Sequence, residues 1–193
     1  MIYLFGISFQ EVLMTVQECI RTRRSIRKFK PTPIDHAVIE EIISDTAMTP
    51  SWKNSQTVRY ICVEGALKDR ISKEATTIWP GNGTIIEQAP ALIVVVSIDK
   101  RSGYERDGSA STPKGDGWTM FDAGAASQTL CLSAHDHGLG TVIMGLYDES
   151  TLTDILELED GRSVSALIPI GYPDIDPDAP KRKEVSDLLS FKS

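Results

Sequence analysis

The densest chemistry in the chain is Arg21-Thr22-Arg23-Arg24-Ser25-Ile26-Arg27-Lys28, cationic or hydroxyl-bearing at nearly every position. Guanidinium forks hold a phosphate through paired, charge-assisted hydrogen bonds, and Ser25 adds a neutral donor. The group also falls at the end of a short helical stretch, where cations complement the helix dipole. On composition alone, a phosphate site and a solvated basic face are both open.

A second group, Pro50-Ser51-Trp52-Lys53-Asn54-Ser55-Gln56, lies between a helical and a strand-like stretch, where binding loops commonly sit. Its hydroxyls, amides and indole can hydrogen-bond a polar heterocycle and stack on it. A capping turn with Trp52 in the core is the competing reading. A third group is Gly138-Leu139-Gly140-Thr141-Val142-Ile143-Met144-Gly145. It is not a dinucleotide fingerprint: GxGxxG needs glycine at 143, where Ile143 stands, and it should follow a strand rather than a helix. Its glycines still let backbone pass close beside a flat ligand. Lys181-Arg182-Lys183 is a fourth group, able to complete a phosphate site begun by the first. His135 and His137 fall on different faces of a helix, which argues against a metal pair and for solvated helix-end histidines. No Ser-His-Asp, Cys-His or HExxH pattern supplies a nucleophile, base or metal centre, so no catalytic side chain and no metal ligand is assigned.

These groups need a scaffold. Residues 15–23 read as a short helix. Asp35 then caps a second helix carrying Ile39, Ile42, Ile43 and Thr46, which Pro50 stops. Residues 58–63 read as a strand, 67–77 as a helix, and Pro80-Gly81-Asn82-Gly83 as a turn. The unbroken apolar run at 91–98 implies a strand buried on both faces. Residues 99–117, polar and rich in Gly and Ser, form the long loop, either a mobile lid or a solvated excursion. A helix over 119–137 buries Ala123, Ala126, Leu130 and Ala134, and its small residues admit a second helix at close range. A helix from about 150 to 156 and a strand over 164–170 follow, with Pro169 suggesting a sheet edge. Helices outnumber strands without regular alternation, so an α+β domain is expected.

With 193 residues, 41% hydrophobic and 24% charged, the chain suits a single globular domain. The net charge of -7 argues against a broad nucleic-acid surface. Cys19, Cys62 and Cys131 form no CxxC and read as buried free thiols of a reducing cytoplasm. The apolar start lacks the preceding Lys or Arg of a signal peptide, and Glu11 and Glu18 break it before a membrane-spanning length. Residues 1–13 read as a preface to a domain over 14–193, with Met14 the expected biological start. A mature N-terminus at Met1 in protein from the native cell, read by mass spectrometry, would exclude that.

In order and spacing, the four groups resemble the nitroreductase family of flavoproteins, over roughly residues 14–190. The resemblance implies a mixed central sheet flanked by helices, and an intertwined homodimer with two FMN sites at its interface. It implies that Arg23, Arg24 and Ser25 take the FMN phosphate and that Arg27 stands near the pyrimidine edge of the flavin. There a cation stabilises the reduced flavin's negative charge. Pro50, Ser51, Trp52 and Asn54 would reach the flavin bound mainly by the other subunit. Ile143, Met144 and Gly145 would pass over the flavin face. Many relatives carry an acid where Met144 falls, so backbone contacts are expected there. Lys181 and Lys183 would close over the phosphate.

The activity so implied is a ping-pong cycle in which NAD(P)H reduces FMN and a small electron-poor acceptor, a nitroaromatic or quinone, reoxidises it. No nucleic acid or membrane takes part. Two alternatives are a specialised flavin oxidoreductase of dehalogenase or ring-oxidising type, whose substrate contacts the 99–117 loop, and a non-catalytic FMN-binding or sensing protein.

Overall fold

A computed structural model describes residues 14–192; the expected preface at 1–13 lies outside them. The centre is one four-stranded sheet of order β1-β2-β4-β3, with β1 Val58–Glu64, β2 Ala91–Ile98, β3 Gly140–Thr141 and β4 Arg162–Gly171. All three pairings are antiparallel. The sheet is therefore antiparallel where a mixed one was expected, and at its β3 edge Ser25 adds an isolated parallel bridge to Thr141.

Strand alternation divides the apolar run of β2 between two cores. Ala91, Ile93 and Val95 meet α2 (His36–Thr46) and α5 (Gly117–Asp136) through Ile39, Ile42, Ala123, Leu130 and Ala134. Leu92, Val94 and Val96 face α3 (Gly65–Glu74), α4 (Pro80–Gln88) and α6 (Glu149–Leu156) through Ile71, Ile86, Leu152 and Ile155. The result is the α+β architecture expected, a sheet sandwiched between helical layers. Asp35 caps α2 by accepting from the Ala37 amide at 2.9 Å. Thr15 and Glu18 close a capping box on α1 (Val16–Thr22). A four-residue α7 (Val185–Leu188) lies in the exposed tail.

Three local expectations change. The Pro80–Gly83 stretch is not a turn but the first turn of α4, with proline at a position that needs no amide. Gly83 is there for contact: a Cβ would stand 2.6 Å from Thr76 Oγ1 and 2.7 Å from the Ser72 carbonyl oxygen. Helix α4 can therefore lie directly on α3. Strand β4 is interior to the sheet, not an edge. Extending the β3–β4 register places Pro169 opposite Val142, and pairing resumes only at Met144↔Leu167. The missing proline donor thus faces the frayed outer strand, which is why β3 is two residues long. Cys19 and Cys131 are buried, but Cys62 is exposed on the edge strand β1.

Candidate functional site

The basic segment is fixed to the sheet edge by two backbone anchors. The Ile26 amide donates to the Thr141 carbonyl at 2.9 Å. Farther along, Lys30 N donates to the Tyr172 carbonyl at 2.8 Å and Asp174 N to the Lys28 carbonyl at 3.0 Å. Ile26 and Phe29 point inward and are buried; Arg27, Lys28 and Lys30 point outward. Gly140 makes the first anchor possible, since a Cβ there would stand 2.5 Å from Ile26 Cγ1 and 2.7 Å from its Cβ. A Gly140→Ala variant should therefore push the basic segment off the sheet. Overpacking of this kind costs about 1–3 kcal/mol, so a thermal melt should fall by on the order of 5 °C. An unchanged melting temperature would show that the edge yields freely.

Arg23, Arg24 and Ser25 are half-buried where α1 ends, beside the C-terminal end of α5. Arg24 donates to the carbonyls of Arg21 and Arg23. Their field is visible in their neighbours. His135, bonded to Thr22 Oγ1 at 2.8 Å, has its pKa lowered by burial first, then by Arg23 and Arg24, with Asp136 opposing. His137 bonds Glu41 and the Ser133 carbonyl. Both helix-end histidines are thus held by protein groups rather than solvent alone.

The second group occupies the opposite end of α5. Residues Trp52–Asn54 form a 3-10 turn, and Lys53, Asn54 and Gln56 all have positive φ without being glycine. Such backbone persists only when its surroundings hold it. Asp122 does the holding: its buried carboxylate accepts from the Trp52 amide at 3.0 and 3.2 Å and from Ser102 Oγ at 2.6 Å. Trp52 packs on Trp118 with centroids 4.6 Å apart, and Lys53 pairs with Glu105 at 2.7 Å. Among the described residues, four buried polar side-chain atoms lack a partner, and all lie at 49–57: Thr49 Oγ1, Trp52 Nε1, Ser55 Oγ and Thr57 Oγ1. A cavity of ≈ 130 Å³ opens there, with Thr49, Pro50, Ser51 and Asp122 in its wall. Buried polar atoms are normally satisfied, so this loop is built to meet something more.

In the third group the strand alternation sorts the residues. Met144 is buried, and its amide and carbonyl are both bonded to Leu167, at 2.8 and 3.0 Å. Ile143 is 46% exposed, and the space where a Gly145 side chain would stand is open to 4 Å. Lys181 and Lys183 lie exposed in the tail, and no ion pair holds them among the described residues. The chain therefore brings Arg23, Arg24 and Ser25 together at one end of α5, and Pro50, Ser51, Trp52 and Asn54 at the other. Asp122 and Ser102 escaped sequence reasoning. Asp122 had a signal: it is four residues before Ala126, on the helix face that the alanines bury. Ser102 had none. Among the described residues, no cluster of metal-ligating side chains occurs, and no helix is long and apolar enough to cross a membrane.

The model of the Nitroreductase family matches residues 20–172. A candidate NADH dehydrogenase/NAD(P)H nitroreductase of Archaeoglobus fulgidus is 29% identical over 165 residues, which cover 82% of this chain and 87% of the relative. A 5,6-dimethylbenzimidazole synthase of Rhodobacter capsulatus is 27% identical over 181 residues, covering 84% and 86%. A candidate nitroreductase from Exiguobacterium sibiricum, crystallised in complex with FMN, shares the fold. Its TM-score is 0.79 at 20% identity, over 93% of this chain and 98% of that one.

Proposed function

We propose, from the premise that this chain belongs to the nitroreductase family, that it is an FMN-dependent oxidoreductase working as a homodimer with NAD(P)H. The observation that carries the reading is the separation of two half-sites by α5. Asp122 and His135 are thirteen residues apart on that helix, about 20 Å at 1.5 Å per residue. Contacts that far apart along one helix are met more readily by a flavin shared between two copies. Two copies related by a two-fold axis, with their α5 helices antiparallel, would bring the 50–54 loop of one to the basic segment of the other. Helix α5 exposes Met120 and Phe121 at 55% and 66%, α1 exposes Val16 and Ile20, and the tail exposes Leu188 and Phe191. Apolar surface on this scale favours association.

The donor set suits FMN. Arg23, Arg24 and Ser25 offer charge-assisted bonds to a phosphate dianion, and Arg27 and the tail lysines Lys181 and Lys183 add positive charge. Ile143 and Gly145 offer a surface without obstruction, and the 49–57 segment offers unpaired polar groups. Held by these residues, FMN would supply the redox chemistry, hydride acceptance from NAD(P)H and electron return to an acceptor. The chain's own residues bind, orient and exclude water; none is asked to act as nucleophile or general base. Small nitroaromatics and quinones are the acceptors this reading assigns, in alternating half-reactions. A cytoplasmic setting suits three free thiols. The decisive test is the visible spectrum of purified protein, followed anaerobically as NADH or NADPH is added. Bound flavin should bleach. Protein that cannot be loaded with FMN would overturn the proposal, and flavin that neither nucleotide bleaches would make the protein a non-catalytic FMN binder.

His135 offers a test independent of turnover. Its pKa is depressed partly by Arg23 and Arg24. A bound phosphate would cancel their charge, so the imidazole should titrate at higher pH in the FMN-loaded protein than in the stripped one. Proton NMR of the ring across pH 4–8 reads this directly. An identical titration in both forms would move the phosphate away from Arg23 and Arg24.

A second reading has one observation in its favour: 5,6-dimethylbenzimidazole synthases are among the relatives. A dedicated flavin oxidoreductase would reduce generic nitroaromatics poorly in stopped-flow assays while retaining fast flavin reduction.

A further inference from the structure

The 99–117 loop builds a pocket beside the 50–56 segment. It is an open hollow of ≈ 790 Å³ whose wall carries Lys53, Lys100, Arg101 and Arg106. Two carboxylates, Glu105 and Asp107, share the wall with these four cations, which leaves it two positive charges in excess. Glu105 pairs with Lys53 at 2.7 Å and accepts from Ser111 Oγ at 2.6 Å. Asp107 accepts from the amide and hydroxyl of Ser109 at 3.0 and 2.6 Å. Lys100, Arg101 and Arg106 form no ion pair among the described residues. In a chain of net charge -7, an excess of two positive charges on one concave wall attracts an anion.

The loop that carries them is tied down. Tyr104 Oη donates to Asp116 at 2.8 Å, Trp118 Nε1 to Thr112 Oγ1 at 2.9 Å, and Ser102 Oγ to Asp122 at 2.6 Å. A tied loop presents its cations with little left to order on binding. Ser55 is also in the wall, and its buried hydroxyl oxygen has no partner. Lys53 and Ser55 belong to the 50–56 segment that the dimer would lay against the partner's flavin, so the pocket opens beside that flavin.

We infer that this pocket binds a compact oxyanion carried by the substrate that meets the flavin. The inference rests on the flavoenzyme reading above for the position of the flavin, but not for the charge of the pocket. The oxyanion has two sources, the 2′-phosphate of NADPH and an anionic substituent on the electron acceptor.

The test uses the double variant Arg101→Ala/Arg106→Ala and the single charge reversal Arg106→Glu, with FMN retention measured in parallel as a check on the fold. Holoprotein is titrated calorimetrically with adenosine 2′,5′-bisphosphate and with 5′-AMP. KM is then measured for NADPH, for NADH, and for matched carboxylated and neutral nitroaromatics. The first source predicts that both variants lose the preference for the bisphosphate and raise KM for NADPH about tenfold or more, with NADH unchanged. The second predicts the same loss for the carboxylated acceptor only. The affected constant should also rise with salt in the wild type, as expected for exposed charges. Unchanged affinities and KM values for every anion in both variants would overturn the inference. If the wild type fails to hold FMN, the flavoenzyme reading falls instead, and titration of the flavin-free protein with inorganic phosphate decides the pocket: binding that the variants lose supports it, and no binding overturns it.

Discussion

An Arg23→Ala variant is expected to purify pale, with its FMN largely lost. Arg23 closes α1 through its own amide, which donates to the Cys19 carbonyl at 3.0 Å, so the side chain is free of the cap. That side chain is half-buried, and its charge adds to the burial that lowers the His135 pKa and opposes the burial that raises those of the Cys19 and Cys131 thiols. A charge-assisted hydrogen bond contributes about 1.5–3 kcal/mol. Losing one should therefore weaken FMN binding by roughly 10- to 150-fold. Quenching of FMN fluorescence on titration measures the loss, and a thermal melt of the apoprotein separates it from misfolding. Arg23→Lys keeps the charge but not the fork, so its defect should be smaller. Wild-type affinity in Arg23→Ala would remove this residue from the phosphate site.

The second large effect is expected at Asp122, which touches no proposed ligand atom. Its carboxylate serves the Trp52 amide and the Ser102 hydroxyl, and it is only 3% exposed. Asp122→Ala would leave two donors without an acceptor, at about 1–3 kcal/mol each. The melting temperature should drop by on the order of 10 °C in a chain of this size. The loop carries three non-glycine residues at positive φ, at 53, 54 and 56. Freed of Asp122, it should relax to ordinary backbone and, in the proposed dimer, cease to fit the flavin. Flavin reduction by NAD(P)H should therefore fall even at temperatures where the variant is folded. Asp122→Asn, which keeps one acceptor oxygen, should recover part of both losses. A variant that melts lower but reduces flavin normally would confine Asp122 to stability.

Much of the scaffold was readable because its signals are local. The bounds 91–98 were legible as written, since the apolar run between Pro90 and Asp99 leaves no other register for a strand. Asp35 announced its helix by side-chain chemistry four to eleven residues ahead of the buried face it serves. The misreadings came where contact overrules local preference. Pro80 and Gly83 have turn composition, yet α4 forms because the glycine lets it lie on α3. Pro169 suggested an edge, yet its strand is interior and only the missing donor faces the weak side.

The basic segment and the 50–56 loop, with which the sequence reading began, show the same division. Sequence by itself determined which residues can hold a phosphate or meet a heterocycle, because that depends on charge, hydroxyls and amides that no fold alters. It also placed both groups beside helices, through proline and capping residues that act within a few positions. Only the tertiary structure decided that α5 holds the two groups apart, that a buried carboxylate seventy residues downstream locks the loop, and that Gly140 is small to seat Ile26. Those facts rest on separations and contacts through space, and the linear order of residues does not encode distance between segments that meet only after the chain has folded.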